Sequence, residues 1–594
     1  MTRHTPMSTL HYCVDASRLH AHLFSVTLTI PEPAAAQTVS LPVWIPGSYL
    51  VREFSKNLQN LGARQGRRQP SVVQLDKCSW RIDCKAGEPL TLRYEVYAFD
   101  PSVRTAWLDG RRGFFNGTSL CLRVHGQEDR PHQLQLLQVK GQPDWQAATG
   151  LTPVRTDKRG FGLYQAADYD ELVDCPVELG AFWSGRFKAC GIEHRFVVAG
   201  ALPSFDGECL LADTQKICEA EIRFWHGSGV QAGRKAPHTH YLFMLNAVDE
   251  GYGGLEHRNS TALICGRRDL PRAGEKTGEG YTTLLGLISH EYFHTWNVKQ
   301  LRPDAFSRYD YSRENYTPLL WFFEGFTSYY DDLLLRRAGL LDDASYLRLL
   351  GKTIGLVQQT PGRHVQTVAQ ASFDAWVKYY RQDENTPNAT VSYYTKGALV
   401  ALCLDLSLRA EGHSLDEAMR GLWKRCKAGP MREQDLLDEL QSLTGRSWQR
   451  ELQAWVHSTA ELPLARLLET QGVRIHAEPG SFAQHLGLRH ADAQGSVQVK
   501  AVLRGGAAEQ AGFAAGDEWL GLEVGARGRS AQWRVSKLDD VPLLLGKERK
   551  ATALVSRDKQ LLRLPLVVPQ QSTVWRLEMP QERPAGQSGQ WPAA

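Results

Sequence analysis

The stretch His290-Glu291-Tyr292-Phe293-His294 limits what this chain can fold into more than any other short segment. Two histidines four apart share one face of an α-helix, so both imidazoles reach a single metal only if residues 290–294 are helical. Glu291, about 100° round that helix from His290, is placed to hold a water beside the metal without ligating it. A catalytic zinc takes three protein ligands and keeps one position for water. The pattern predicts one Zn2+ per chain on His290, His294 and a third ligand downstream, with Glu291 as the general base of a hydrolysis. Two carboxylates compete for the third place. Glu324 lies in the apolar run Leu320-Trp321-Phe322-Phe323-Glu324-Gly325-Phe326-Thr327, where an unpaired charge is costly and a metal offsets the cost. Glu314 lies in the polar run Tyr311-Ser312-Arg313-Glu314-Asn315 and needs no such partner. Glu324 is the better candidate and Glu314 the alternative.

The chain around this motif has 594 residues, too many for one core, and the length implies roughly three to five domains. Its hydrophobic periodicity changes along the way. Residues 1–190 alternate with period two, as in Leu23–Ile30 and Leu90–Tyr97, and are punctuated by turn signals such as Pro46-Gly47 and Asn116-Gly117. An all-β, antiparallel sandwich-like N-terminal domain is expected. From about residue 280 to 465 the period is helical, notably over 284–294, 319–340 and 397–409. Residues 191–275 are mixed, with strand candidates at 195–198 and 241–245. Together 191–465 read as one α+β domain. Short strands and glycines return over 466–570. Residues 571–594 read as a flexible tail, since 581–590 carry too little apolar surface to order.

Composition narrows the function classes. The chain is 42% hydrophobic and 23% charged, with a net charge of +4. That balance is too weak to imply a nucleic-acid partner or an acidic membrane surface. The longest apolar runs, such as 397–406, fall short of the roughly 20 residues of a membrane span. Eleven cysteines without C-x-x-C spacing, and an N-terminus without an apolar signal core, lead us to expect free thiols in the cytoplasm. A periplasmic location would require a different start site.

At this point the residues carry a resemblance. HEYFH followed by Trp321-Phe322-Phe323-Glu324-Gly325 resembles the gluzincin metallopeptidases, whose aminopeptidase N relatives pair HExxH with W-x-x-E-G. Gly253-Gly254-Leu255-Glu256-His257 is similar to their G-x-M-E-N exopeptidase segment. The 29 residues between the motif and Glu324, 295 to 323, exceed the spacing in those relatives. Trp44-Ile45-Pro46-Gly47-Ser48-Tyr49, the run from His294 to Lys299, and Tyr309-Asp310-Tyr311 resemble the glycyl aminopeptidase family, which carries a PDZ domain after its catalytic domain. Val497–Val502 followed by Gly506 to Leu520, with A-x-x-A-G-x-x-x-G-D, resembles a PDZ core. Leu486-Gly487-Leu488 would be its carboxylate-binding loop, open to a peptide C-terminus by β-augmentation.

The resemblance implies a thermolysin-like (gluzincin) catalytic domain between the N-terminal β domain and a C-terminal PDZ domain. It implies zinc-dependent removal of N-terminal residues, glycine and alanine foremost, from peptide substrates. Tyr394, in Tyr393-Tyr394-Thr395-Lys396-Gly397, matches the Y-x-K-G tyrosine that meets the oxyanion. Glu256 matches the carboxylate that anchors the substrate ammonium, with Gly253 and Gly254 allowing close backbone approach. His257 either contacts substrate or is structural. Segments 46–49 and 111–118 also resemble the family's N-terminal domain, either as turns that pin the sandwich or as substrate contacts. Two other functions fit parts of the pattern: a zinc endopeptidase using the same site, and an inactive adaptor that binds peptides through its PDZ domain.

Overall fold

A computed structural model describes residues 9–493, 495–525, 531–580 and 591–592. It separates into two compact units: residues 1–315 with 337–340 and 423–432, and residues 316–336 with 341–422 and 433–594. No helix among the described residues is long and apolar enough to cross a membrane. All eleven cysteines are free thiols.

The first unit begins with strands whose inward residues alternate with outward ones. Leu10, Tyr12, Val14 and Ala16 are buried while their neighbours are partly exposed, which is the pattern of a sheet with one face on a core. A seven-stranded sheet runs in the order Thr152–Thr156, Gly162–Ala166, His132–Leu136, Leu10–Arg18, Leu23–Ile30, Leu90–Tyr97, Leu58–Arg64. Two four-stranded sheets pack into the same apolar core. The N-terminal region is β-rich but not all-β, its architecture is three sheets, and Leu10–Arg18 pairs in parallel with His132–Leu136. Alternation reveals a strand and not its partner, and parallel pairing needs a long crossover that leaves no local signal. Asn116-Gly117, expected as a turn, opens a short buried helix, Gly117–Leu120.

The same unit contains a five-stranded sheet in the order Trp183–Ala189, Ile192–Ala199, His240–Val248, Ser260–Gly266, Tyr252–Glu256. The middle three strands are parallel. His240–Val248 is buried along almost its whole length, as expected of a parallel strand covered on both faces. Tyr252–Glu256 is an antiparallel edge strand. Two helices accompany this sheet. Gly207–His226 is capped by Asp206, whose carboxylate accepts the Cys209 N–H at 3.0 Å. Glu279–Phe293 carries the HExxH motif and ends with His294 at its C-cap.

The second unit is helical first and β-rich later. Helices Leu320–Arg337, Asp343–Gln358, Tyr393–Ala410, Glu433–Thr444, Gln449–Trp455 and Leu464–Thr470 precede a sheet in the order Leu488–Ala493, Ser496–Val502, Glu518–Val524, Lys550–Arg557, Gln560–Val567. This sheet has its own core around Val497, Trp519, Leu522 and Val555. The turn Leu486-Gly487-Leu488 is closed. Both leucines are buried, and the Gly487 carbonyl oxygen accepts the Leu503 N–H at 2.8 Å.

The tail expected from residue 571 begins instead with a strand. Thr573–Glu578 pairs antiparallel with Arg474–Pro479, and the diagonal neighbours Arg576 with Glu478 and Glu578 with His476 lie within ion-pair distance across the two strands. The disorder expected over 581–590 lies outside the described residues. Trp591 is fully buried, and its indole N–H donates to Tyr329 Oη at 3.1 Å.

Candidate active site

The helix Glu279–Phe293 presents His290 and His294 from its last turn, and their rings lie 4.7 Å apart, nearly perpendicular. One donor atom each from His290, His294 and Glu324 lies within 4.8 Å of the others. Tetrahedral zinc with bonds of about 2.0–2.1 Å puts its donors about 3.3 Å apart, a spacing inside the 4.8 Å within which these atoms lie. Two imidazoles and a carboxylate are also the donor chemistry that zinc takes. Among the described residues no other three histidine, cysteine or carboxylate side chains are grouped this way. Glu324 is 2% exposed, on the helix Leu320–Arg337. Glu314 is half-buried in a loop, where its charge acts on Lys77.

The backbone after the motif orients His294. Nδ1 of His294 lies 2.8 Å from the Asn297 carbonyl oxygen. An oxygen of that kind only accepts, so Nδ1 carries the proton and Nε2 is the nitrogen that could ligate a metal. The chain reverses at Val298, with φ at 135°, and the Lys299 N–H returns to the His294 carbonyl at 3.0 Å. A β-branched residue in that region is strained by about 1–3 kcal/mol, a conformation that surrounding contacts must hold. Behind the helix, Tyr292 Oη sits 3.0 Å from Nε2 of both His194 and His238. Burial pushes the His194 imidazole down to about 4 and that of His238 well below its ordinary value. Both are therefore neutral, and the hydroxyl donates to one while accepting from the other. Sequence reasoning passed over these two histidines, which lie far from the motif along the chain.

At the edge of the five-stranded sheet the strand Tyr252–Glu256 supplies Gly253, Gly254 and Glu256. Residues 254 and 256 face the same way. A Cβ on Gly254 would collide with the carboxylate of Glu291, which is 5% exposed. Gly254 thus lets the candidate base lie flat on the strand. Gly47, at φ 91°, does the same for Glu256: a Cβ there would stand 2.5 Å from both carboxylate oxygens. Gly47 belongs to the Trp44–Tyr49 segment, whose role the sequence left open, and it lies against a candidate substrate residue. Glu256 is 4% exposed, and its Oε1 has no hydrogen-bond partner.

His257 is tied into a buried network. Its Nδ1 is 3.2 Å from Asp174 Oδ1, which also accepts from Lys299 Nζ at 3.0 Å. The Arg258 N–H reaches Asp174 Oδ2 at 3.1 Å. Burial alone would raise the Asp174 carboxyl, but the charge of Lys299 and the His257 bond outweigh it and hold the group far below the usual range. Burial alone would lower the Lys299 ammonium, but the charge of Asp174, then that of Glu256, holds it above its ordinary value.

In the second unit, two glycines set the distance between helices. A Cβ on Gly325 would stand 2.5 Å from Gly397 Cα, and one on Gly397 would stand 2.5 Å from the Trp321 carbonyl oxygen. The helices Leu320–Arg337 and Tyr393–Ala410 therefore touch backbone to backbone, next to Glu324 and one turn from Tyr394. Ser392 caps the second helix by accepting the Thr395 N–H at 3.3 Å. Tyr393 is fully buried, whereas Tyr394 is only half-buried. Burial, then the charge of Glu324, pushes the Tyr394 phenol well above 10. Tyr379, which sequence reasoning missed, stacks on Tyr394 at 5.5 Å and also senses Glu324.

Residues 11–181 match the model of the peptidase M61 N-terminal domain, and residues 283–400 match that of the M61 glycyl aminopeptidase. The crystal structure of an aminopeptidase N family protein from Idiomarina loihiensis is 36% identical, with a TM-score of 0.90 over 96% of this chain and 98% of that one. An M1 zinc metallopeptidase from Deinococcus radiodurans is 16% identical, with a TM-score of 0.48 over 77% of this chain and 94% of that one. Comparison with curated proteins gave no match.

Proposed function

The chain belongs to the peptidase M61 family, the glycyl aminopeptidases, and from that premise we propose that it is a zinc aminopeptidase removing N-terminal residues, glycine and alanine foremost, from peptides. The observation that carries the reading is Glu256. Lys299 is the cation near this buried carboxylate, but its ammonium bonds Asp174, which leaves Glu256 Oε1 without a hydrogen bond and open to a further cation. The ammonium of a peptide is such a cation, and Glu256 lies on the strand face where Glu291 packs.

His290, His294 and Glu324 would hold the metal. Zinc bound there would polarise the scissile carbonyl and acidify a water beside it. Glu291 takes the water's proton and passes it to the leaving amine. Tyr394 donates to the oxygen of the developing tetrahedral carbon. Its raised pKa keeps the phenol protonated, and so a donor, throughout the neutral range. Gly253 and Gly254 let an extended substrate lie close to the edge strand. His257, held by Asp174, fixes the end of that strand. Tyr394→Phe is expected to lower kcat by about 10²–10³-fold with little change in KM; an unchanged kcat removes Tyr394 from the mechanism.

We read the chain as an N-terminal β domain over 1–190, a thermolysin-like domain over 191–465 and a PDZ domain over 466–570. Support for the last is the helix Ala507–Ala511 leading to the Gly516-Asp517 turn, where buried Asp517 accepts the Ala514 N–H at 2.8 Å and pairs with Arg557. The closed Leu486-Gly487-Leu488 turn favours a packing role for this module over capture of a peptide C-terminus.

The deciding experiment compares trialanine with its N-acetylated form, using protein stripped by a chelator and then reloaded with zinc. Hydrolysis of the free peptide alone, lost on chelation and restored by zinc, is the expected result. Equal cleavage of both peptides makes the chain an endopeptidase, and no cleavage of either makes it a binding protein.

A further inference from the structure

Arg104 stands in the loop between the strands Leu90–Tyr97 and Ala106–Leu108 and reaches the edge strand Tyr252–Glu256. Its Nη2 donates to the Gly254 carbonyl oxygen at 3.0 Å. Its Nη1 is 3.7 Å from where a Cβ on Gly253 would stand.

The pairing register shows which side of the strand this is. The His257 N–H bonds the Ser260 carbonyl oxygen, and residues 255 and 253 stand opposite 262 and 264. Hydrogen-bonded pairs alternate along an antiparallel ladder. Leu255 and Gly253 therefore bond inward to Ser260–Gly266, while Gly254 and Glu256 turn their backbone groups to the open edge. Arg104 lies on that open edge.

Its charge is unanswered. The Nε is buried without a hydrogen-bond partner, and among the described residues no carboxylate pairs with the guanidinium. A half-buried guanidinium in this state is poised for an anion, and its planar fork matches a carboxylate in bidentate fashion.

The spacing identifies the anion. A peptide with its ammonium at Glu256 brings its first bond beside Glu291, which rests on Gly254. The leaving side then runs along the open edge to Gly254, where Arg104 is bonded. Two residues of strand span about 7 Å, the length of an extended dipeptide, and a third residue still lies within reach of the long Arg104 side chain.

We propose that Arg104 receives the free C-terminal carboxylate of di- and tripeptide substrates, which makes this site selective for short peptides. The proposal rests on the aminopeptidase reading above.

Two readouts test it: dissociation constants by calorimetry on zinc-loaded Glu291→Gln protein, and kcat/KM on the unmodified chain. Both use trialanine and trialanine amide. The acid should be favoured by about 10- to 100-fold in each readout, the range expected of a charge-assisted hydrogen bond. Arg104→Gln should erase that preference and Arg104→Lys should retain part of it. Acid and amide differ only at the C-terminus, so a purely structural role of Arg104 would weaken both substrates equally. Equal handling of acid and amide by the unmodified chain, or an equal loss for both in Arg104→Gln, overturns the proposal alone. Absence of any hydrolysis overturns the aminopeptidase reading and this inference with it.

Discussion

Glu291→Gln is expected to lower kcat for alanine amide by about 10²–10⁴-fold, the usual contribution of a positioned general base, with zinc content and unfolding midpoint unchanged. Glutamine has the shape of glutamate, so it fits the space that Gly254 leaves on the edge strand. It cannot take a proton. The substitution therefore separates chemistry from architecture, which larger or smaller residues at this buried position would not do. Steady-state kinetics and metal analysis on the same preparation decide the matter. A variant within tenfold of the unmodified enzyme rules Glu291 out as the base.

Gly397→Ala is expected to damage stability and the site together. The added methyl would meet the Trp321 carbonyl oxygen at 2.5 Å and the Gly325 Cα at 2.9 Å. Both are backbone atoms in helices and cannot rotate away, so the helices must part. Overpacking of this kind costs about 1–3 kcal/mol, and a backbone neighbour puts the cost at the upper end. The helix that moves carries Tyr394, and its partner carries Glu324. A misplacement of about 1 Å at such groups can cost about 10²-fold in rate. A lower urea midpoint, zinc content below one per chain and a kcat/KM reduced by about 10²-fold are the expected signs. Gly62→Ala, with nothing within 4 Å of the new methyl, serves as the control. A Gly397→Ala protein that matches this control in all three measurements would show that the crossing tolerates a wider spacing.

The parts of the site legible in the sequence were those where residue type and short spacing state a chemical requirement. His290 and His294 declare a helix and a metal together. Glu324 stands out because a carboxylate in an aromatic run needs a reason to be there. The glycine at 254 signals close approach, though nothing local says that Glu291 is what approaches, while Gly253 instead serves a φ of 152°. The missing parts depend on contacts between distant segments. Gly47 meets Glu256 across more than two hundred residues of sequence. Trp44 donates to the Asp310 carbonyl oxygen at 2.8 Å and rests on Tyr309 and Tyr311. Two segments read separately are thus the two sides of one contact.

Some of the fold was readable and passed over. Leu210, Leu211, Thr214, Ile217, Cys218, Glu221, Ile222 and Trp225 are buried at helical spacing in Gly207–His226. The glutamate and threonine within that stripe weakened the pattern. Tyr379 had no such signal, since its importance comes from stacking on Tyr394 in a segment with little regular structure.

The burial of Trp591 gives the second unit an order of assembly in time. Its indole bonds Tyr329, whose hydroxyl in turn donates to Asp405 at 2.6 Å, and Tyr329 shares its helix with Glu324. Trp591 follows Tyr329 by 262 residues, so a ribosome adding about 5–20 residues per second delivers it roughly 13–50 s later. For that interval the helix that carries Glu324 has been synthesised while the place of the indole beside it is still empty.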